Sequence, residues 1–508
     1  MSNQINQKLL TGTWMMAFAA IFSKILSAVY RVPLQNMVGD HGYYVYQQIY
    51  SIYGIFGVLS LTGLPLLISK IFSNNSELQL KQNFRDVFWL LMYVAIFLVM
   101  IIQIFAQPIA QMMGDKNIAE ELRVTALIYL LMPIEAVIRG YYQSRLDVKV
   151  SAMSQVIEQI VRVTLILIVA VLFTRNAFDV YDMGALANFG SVVAAIVASI
   201  YLVIFFLHHK TVKLNLWPSF NWNLSQKIFV EGLGIILVTG ILVFFQMIDS
   251  LTIVPGLLKN GYSVMDAGIQ KGIFDRAQPL AQLGIVVVVS FLSVLVPAKQ
   301  ANKDQTVINR VLKFCIGLSL AETVGLCLLI KPINIMFFKD TKSSDVIAVF
   351  LISIALYSLV NILVTLNDNR HHKLILLLIV ITLVIKTVLN NFMIQQWGLM
   401  GVSWSTNISL VFLLIAMLLI SNRSIKQVFV QNGFIFKVSF ALLVMTLTVW
   451  GATEISYLWL NDSRLDSIVV TVIGIIVGVL VYGIVILKLK VFTKEELSDL
   501  PILKRIVK

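Results

Sequence analysis

Four charged residues stand where a charge is costly. Residues 133–165 read PIEAVIRGYYQSRLDVKVSAMSQVIEQIVRVTL, two apolar helical segments joined by a short polar turn. The first segment carries Glu135 and Arg139, the second Glu158 and Arg162. Each pair is spaced i,i+4 and therefore shares one helix face. Folding the hairpin about its turn sets Glu135 opposite Arg162 and Arg139 opposite Glu158, and both opposed pairs have opposite sign. A charge at the centre of a bilayer costs at least about 3 kcal/mol, so such residues face a bundle interior or a wet cavity. The set is expected either to hold two helices in register or to act as a substrate or conformational switch.

Other polar residues interrupt apolar runs. Asp249 and Lys386 fall at similar depth in two separate runs, which makes an ion pair between them plausible. Glu231 and Glu322 are further acids inside apolar segments, each a proton carrier or a satisfied packing acid. Tyr43, Tyr44, Tyr46, Tyr50 and Tyr53 cluster with Gln47 and Gln48. They read as an interfacial aromatic belt or as platforms for sugar rings. His208-His209 and His371-His372 cannot place both rings of a pair on one helix face and read as interfacial loop residues rather than metal ligands. Cys315 and Cys327 share one apolar run and read as packing residues. No phosphate-binding glycine loop, HExxH or nucleophile elbow appears, so neither an ATPase nor a hydrolase is indicated.

The elements that must position these residues are transmembrane helices. The chain has 508 residues, 58% hydrophobic and only 13% charged. A soluble chain of this length would be about a quarter charged. Apolar runs long enough to cross about 30 Å of hydrocarbon recur to the C-terminus. The reading is an all-α polytopic membrane protein of about fourteen spans, near 11–32, 43–69, 87–108, 123–143, 150–173, 184–207, 227–254, 272–297, 309–330, 346–366, 373–393, 398–421, 436–458 and 466–487. The first run leads straight into more spans and lacks a small-residue cleavage site, so no cleavable signal peptide is expected. The even count puts both termini on one side. Lys and Arg concentrate in the loops and tails of that side, which makes it cytoplasmic. The net charge of +13 is spread over short loops and argues against nucleic acid as a partner. The basic C-terminal tail, with Lys488, Lys490, Lys494, Lys504, Arg505 and Lys508, reads as a topology anchor at an anionic leaflet. The loop near 208–226 suits a crossing between halves. The expected division is a six-helix lobe over 1–210, a second over 211–425, and two further helices with the tail over 426–508.

Several segments resemble one family. RGYYQ (139–143) and SQVIEQIVRV (154–163) are similar to Firmicute polysaccharide exporters of the SpoVB and YtgP type. So are GDHGYYVYQQIYSIYG (39–54), LTGLPLLISK (61–70), FDRAQPLAQL (274–283), the LVP of 295–297 and KTVLNNFMIQQWGLMGVSWST (386–406). The similarity runs over roughly residues 10 to 420 and places the chain in the MOP exporter superfamily, beside MurJ-type lipid II flippases and MATE transporters. It implies two six-helix lobes around a V-shaped cavity and export of an undecaprenyl-pyrophosphate-linked saccharide by alternating access. It implies no cofactor and no bound metal, a bilayer-embedded protein working as a monomer, and no enzymatic step.

Carried over residue by residue, the resemblance points to three cations. Lys24, after Ser23, stands where MurJ-type proteins have a Ser-Arg pair. Arg31 lies one residue from their second arginine, and Asp275-Arg276 matches their Asp-Arg pair. Their second-span arginine has no counterpart here. Lys24, Arg31 and Arg276 are thus the expected pyrophosphate-binding cations, since guanidinium forks suit phosphate oxygens and lysine acts as a point charge. In this family the neighbourhood of Asp249 and Lys386 can bind a coupling cation, and a lysine there could replace such an ion with a fixed charge. A MATE-like antiporter of small organic cations is the alternative, disfavoured by the basic residues. A membrane glycan polymerase or ligase is less favoured, for want of a long outer loop with catalytic residues.

Overall fold

The computed structural model describes residues 22–73, 76–209, 217–300 and 305–492, and these residues are helical with short connections. In chain order the helices are α1 (22–29), α2 (Arg31–Gln48), α3 (Tyr50–Gly57), α4 (Leu64–Ser73), α5 (Glu77–Met112), α6 (Ala119–Ala126), α7 (Met132–Ser144), α8 (Val148–Thr174), α9 (Val180–His208), α10 (Trp222–Lys259), α11 (Val264–Asp275), α12 (Ala277–Gln300), α13 (Gln305–Leu328), α14 (Ile330–Phe338), α15 (Ser344–Leu351), α16 (Ser353–Ile420), α17 (Arg423–Val430), α18 (Phe434–Tyr457) and α19 (Arg464–Lys488). Residues 11–21 of the first expected span lie outside the described residues, as do Lys494, Lys504, Arg505 and Lys508 of the tail.

Ten described segments are long and apolar enough to cross a membrane. One of them, His371–Ile420, contains two of the expected spans. Its helix α16 runs 68 residues, far more than a bilayer needs, and it reverses direction at Gly398, whose φ is +54°. A Cβ on Gly401 would lie 2.2 Å from the Met393 carbonyl oxygen, so the two arms meet as a tight hairpin. The expected fourth span is broken instead of continuous. A 3₁₀ stretch, Leu127–Leu131, separates α6 from α7, and Pro133 sits in the first turn of α7, where its missing N–H does no harm.

The second expected span bends as well. A π-helical turn, Val58–Gly63, joins α3 to α4. In π register the residue that would donate to the Ser60 carbonyl is Pro65, which has no N–H. The Ser60 carbonyl is therefore released, and Arg139 takes it at 3.1 Å. Helix ends follow local chemistry: Ser76 and Gln79 form a capping box on α5, and the Asp179 carboxylate accepts from two backbone N–H groups at 2.8 Å each to start α9.

The chain divides into two compact units. Unit 1 comprises 1–275 and 379–402; unit 2 comprises 276–378 and 403–508. The core of unit 1 includes Ile49, Phe56, Leu67, Ile68, Leu122 and Met132. In unit 2, α18 and α19 pack on each other, α19 also meets α14, and α18 meets α13. The two six-helix lobes expected over 1–210 and 211–425 are a division by repeat, distinct from these packing units, and remain a proposal.

Candidate functional site

In unit 1 the α7–α8 hairpin turns through Arg145–Asp147, with Leu146 at a φ of +61°, and brings the intramembrane charges together. Gly140 lets α7 approach α4 closely: a Cβ there would sit 2.6 Å from Ile68 and 3.2 Å from the Pro65 carbonyl. That approach delivers Arg139 to the released Ser60 carbonyl. Arg139 is fully buried and uses its whole fork. Its Nη1 donates to Glu135 Oε2 at 2.7 Å and to the Ser60 carbonyl, its Nη2 to Glu158 Oε2 at 3.0 Å, and its Nε to Ser154 Oγ at 2.9 Å.

The expected Arg139–Glu158 pair is present. The expected Glu135–Arg162 pair is not, because Glu135 binds Arg139 on its own helix instead. One guanidinium bridges both carboxylates, so Arg162 is left to neutral partners. Its Nη2 donates to Ser27 Oγ at 3.1 Å and to Gln159 Oε1 at 2.9 Å, and its Cζ lies 4.4 Å from the Tyr53 ring centroid.

Arg31 is also fully buried. Its Cζ lies 4.3 Å from the Tyr50 ring centroid, and none of its three guanidinium nitrogens has a hydrogen-bond partner. Such a cation–π contact is worth about 2 kcal/mol or more when desolvated. Lys24, by contrast, is exposed, within electrostatic reach of Tyr50, and forms no ion pair among the described residues. The tyrosines make no outward belt. Tyr43, Tyr44, Tyr46 and Tyr53 are buried, and Tyr30 and Tyr46 share a 2.7 Å hydroxyl contact. Ring faces supply the partial negative charge that shields a guanidinium from low dielectric.

Asp249 and Lys386 form the expected pair at 2.8 Å in unit 1. The Lys386 ammonium also reaches Asn390 Oδ1 at 3.1 Å and the Val402 carbonyl at 3.5 Å, and Asn390 donates to Asp249 Oδ1 at 2.9 Å. Asp275 does not pair with the arginine beside it in sequence. It receives Lys271, one turn earlier, at 2.6 Å.

Arg276 belongs to unit 2, where it is fully buried and forked onto Asp340, Nη1 to Oδ1 at 2.6 Å and Nη2 to Oδ2 at 3.1 Å. Burial alone would raise the Asp340 carboxyl. The Arg276 fork and the Lys342 backbone N–H outweigh burial and hold it below its ordinary range. Of the two unassigned acids, Glu231 is exposed, while Glu322 carries a buried, unpartnered oxygen on α13.

Sequence reasoning missed Asp340, Ser27, Ser154 and the Ser60 carbonyl. Lys271–Asp275 was visible as an i,i+4 pair of opposite sign. Asp340 gave no signal, because 64 residues separate it from Arg276.

A bundle of spanning helices with buried guanidinium and ammonium groups has the makings of a membrane transporter for polar cargo. The family described as polysaccharide biosynthesis protein matches residues 9–300. The uncharacterized membrane protein YabM of Bacillus subtilis (strain 168) is 32% identical over 506 residues, covering 96% of this chain and 94% of that protein. The lipid II flippase MurJ of the same organism is 23% identical over 527 residues, covering 94% and 95%. Among solved structures, lipid II flippase MurJ in an inward closed conformation matches with a TM-score of 0.72 at 15% identity, over 93% of this chain and 99% of that one. An inward-facing multidrug resistance MATE family transporter of the MOP superfamily matches at 0.62 and 13%, over 81% and 96%. The chain belongs to the polysaccharide biosynthesis protein family, in the flippase branch of the MOP exporter superfamily.

Proposed function

We propose that this protein moves an undecaprenyl-pyrophosphate-linked saccharide, lipid II or another cell-envelope precursor, across the cytoplasmic membrane by alternating access. The observation that carries the reading is Arg31, a buried guanidinium whose three nitrogens have no hydrogen-bond partner among the described residues. Lys24, on the preceding helix, shares Tyr50 with it as an electrostatic neighbour. A cargo with two phosphoryl groups needs fixed cations to leave the headgroup region, and a guanidinium fork matches phosphoryl oxygens. In unit 2, Arg276 is a further fork that could exchange Asp340 for a phosphoryl group. The similarity to a lipid II flippase along nearly the whole chain supports this cargo class.

Both termini are cytoplasmic in this reading, and a monomer suffices. The Lys386 ammonium, held by three oxygens, acts as a fixed charge in place of a mobile coupling ion. The fold is shared with MATE transporters, but unpaired basic groups repel the organic cations that such antiporters would carry. The test is complementation with parallel immunoblots. Lys24→Ala and Arg276→Ala should each impair export at near-normal protein level, and Lys24→Arg should be tolerated better than Lys24→Ala. Full activity in the Lys24→Ala/Arg276→Ala double variant would remove both residues from the site.

A further inference from the structure

Arg162 and Arg31 reach the same tyrosine cluster from different helices. Arg162 comes from α8 and Arg31 from the start of α2. Tyr30, Tyr46 and Tyr50 lie within electrostatic reach of both. Arg162 is 1% exposed and Arg31 is 0% exposed; among the described residues neither forms an ion pair, and Asp275 is a carboxylate within electrostatic reach of Arg31. Five of their six guanidinium nitrogens have no hydrogen-bond partner: all three of Arg31, and Nε and Nη1 of Arg162. Leaving a charged donor unsatisfied in a protein interior is expensive, and two cations that share the same tyrosine neighbours also repel. A structure that kept them only for packing would have no use for that cost.

The cover over them is thin. Tyr50, whose ring lies on the Arg31 guanidinium, is only half-buried. Ser27, which accepts from Arg162, lies one turn from the exposed Lys24 on the same helix face. Lys24, Ser27 and the Arg162 fork therefore follow one another along this side of the helix.

We propose that Arg31 and Arg162 together form an occluded anion site beneath Tyr50 that receives a phosphoryl group of the cargo, with Tyr50 as the movable cover. Arg162 is then a substrate-binding residue and not a member of the Glu135–Arg139–Glu158 network. The proposal rests on the reading of the cargo as a lipid-linked pyrophosphate. Two forks converging on one anion supply up to four charge-assisted hydrogen bonds, and displacement of the Tyr50 ring is the local motion that exposes them.

Inorganic pyrophosphate is the probe, titrated calorimetrically into the purified full-length protein in detergent. The wild type should bind it. Arg31→Gln and Arg162→Gln should each weaken binding about tenfold or more, the loss expected for a charge-assisted hydrogen bond. Melting temperatures identify any variant that fails to fold. In that case Arg162→Lys, which keeps the charge and loses the fork, should melt like the wild type and still bind more weakly. Wild-type affinity in Arg162→Gln or Arg162→Lys, or no binding by the wild type, overturns the site. Displacement of pyrophosphate by short-chain phosphatidylglycerol would assign the site to bulk lipid headgroups and overturn the cargo role. The cargo reading fails separately: arginine-dependent pyrophosphate binding with no build-up of undecaprenyl-linked precursors on depletion would sink that reading and leave the anion site standing.

Discussion

At the scale of single residues, one arginine does the structural work that two were expected to share. Arg139 bridges Glu135 and Glu158, takes the Ser60 carbonyl and holds Ser154. Its removal leaves two carboxylates in low dielectric without a counter-charge. Arg139→Met should therefore cost about 3–5 kcal/mol of stability and lower the protein level, read as a melting temperature in detergent and an immunoblot. Reversing Glu135 and Arg162 together should recover nothing that either single reversal loses. Recovery would restore the pairing that the structure replaces.

The Arg276–Asp340 fork carries a pH signature. A carboxyl held below its ordinary value contributes stability that is fully present above the unfolded-state value, and loses it as pH falls through the folded-state value. The gap in melting temperature between wild type and Asp340→Asn should thus stay constant from about pH 8 down to about pH 5 and close below about pH 4. A gap that varied between pH 5 and 8 would mean that another group titrates with the pair.

At the scale of elements, the site depends on close approaches that glycine and proline permit. Gly140 admits Ile68 and the Pro65 carbonyl, and Pro65 releases the Ser60 carbonyl that Arg139 needs. Gly140→Ala should destabilise the protein by about 1–3 kcal/mol through overpacking. Gly483→Ala, where a Cβ meets nothing within 4 Å, should be neutral or gain up to about 1 kcal/mol of helix propensity. Thermal melting of the two variants side by side makes the comparison; an equal loss in both would refute the packing argument.

These elements also mark the limits of sequence reading. The hairpin, its polar turn and the Arg139–Glu158 contact follow from spacing and sign alone. The choice of partner for Glu135 does not, because an i,i+4 neighbour and a cross-hairpin neighbour are equally available in one dimension. The competition is decided by Ser60, whose carbonyl is freed 79 residues before Arg139 by a π turn that no local pattern announced. Hydropathy likewise located the spans, but not the 3₁₀ break that splits the fourth, since Leu127–Leu131 is as apolar as its surroundings.

At the scale of the whole molecule, a membrane fold of the flippase branch, helical throughout its described spans, carries buried guanidinium groups in its first unit and a forked arginine in its second. The central claim is that this chemistry serves a lipid-linked saccharide. The direct test is depletion of the protein in its native host, followed by chromatography of undecaprenyl-linked precursors extracted from the membrane. The account predicts that one such precursor accumulates on the cytoplasmic side as the protein disappears, and that re-expression clears it. A growth defect with every undecaprenyl-linked species at its normal level would contradict the account.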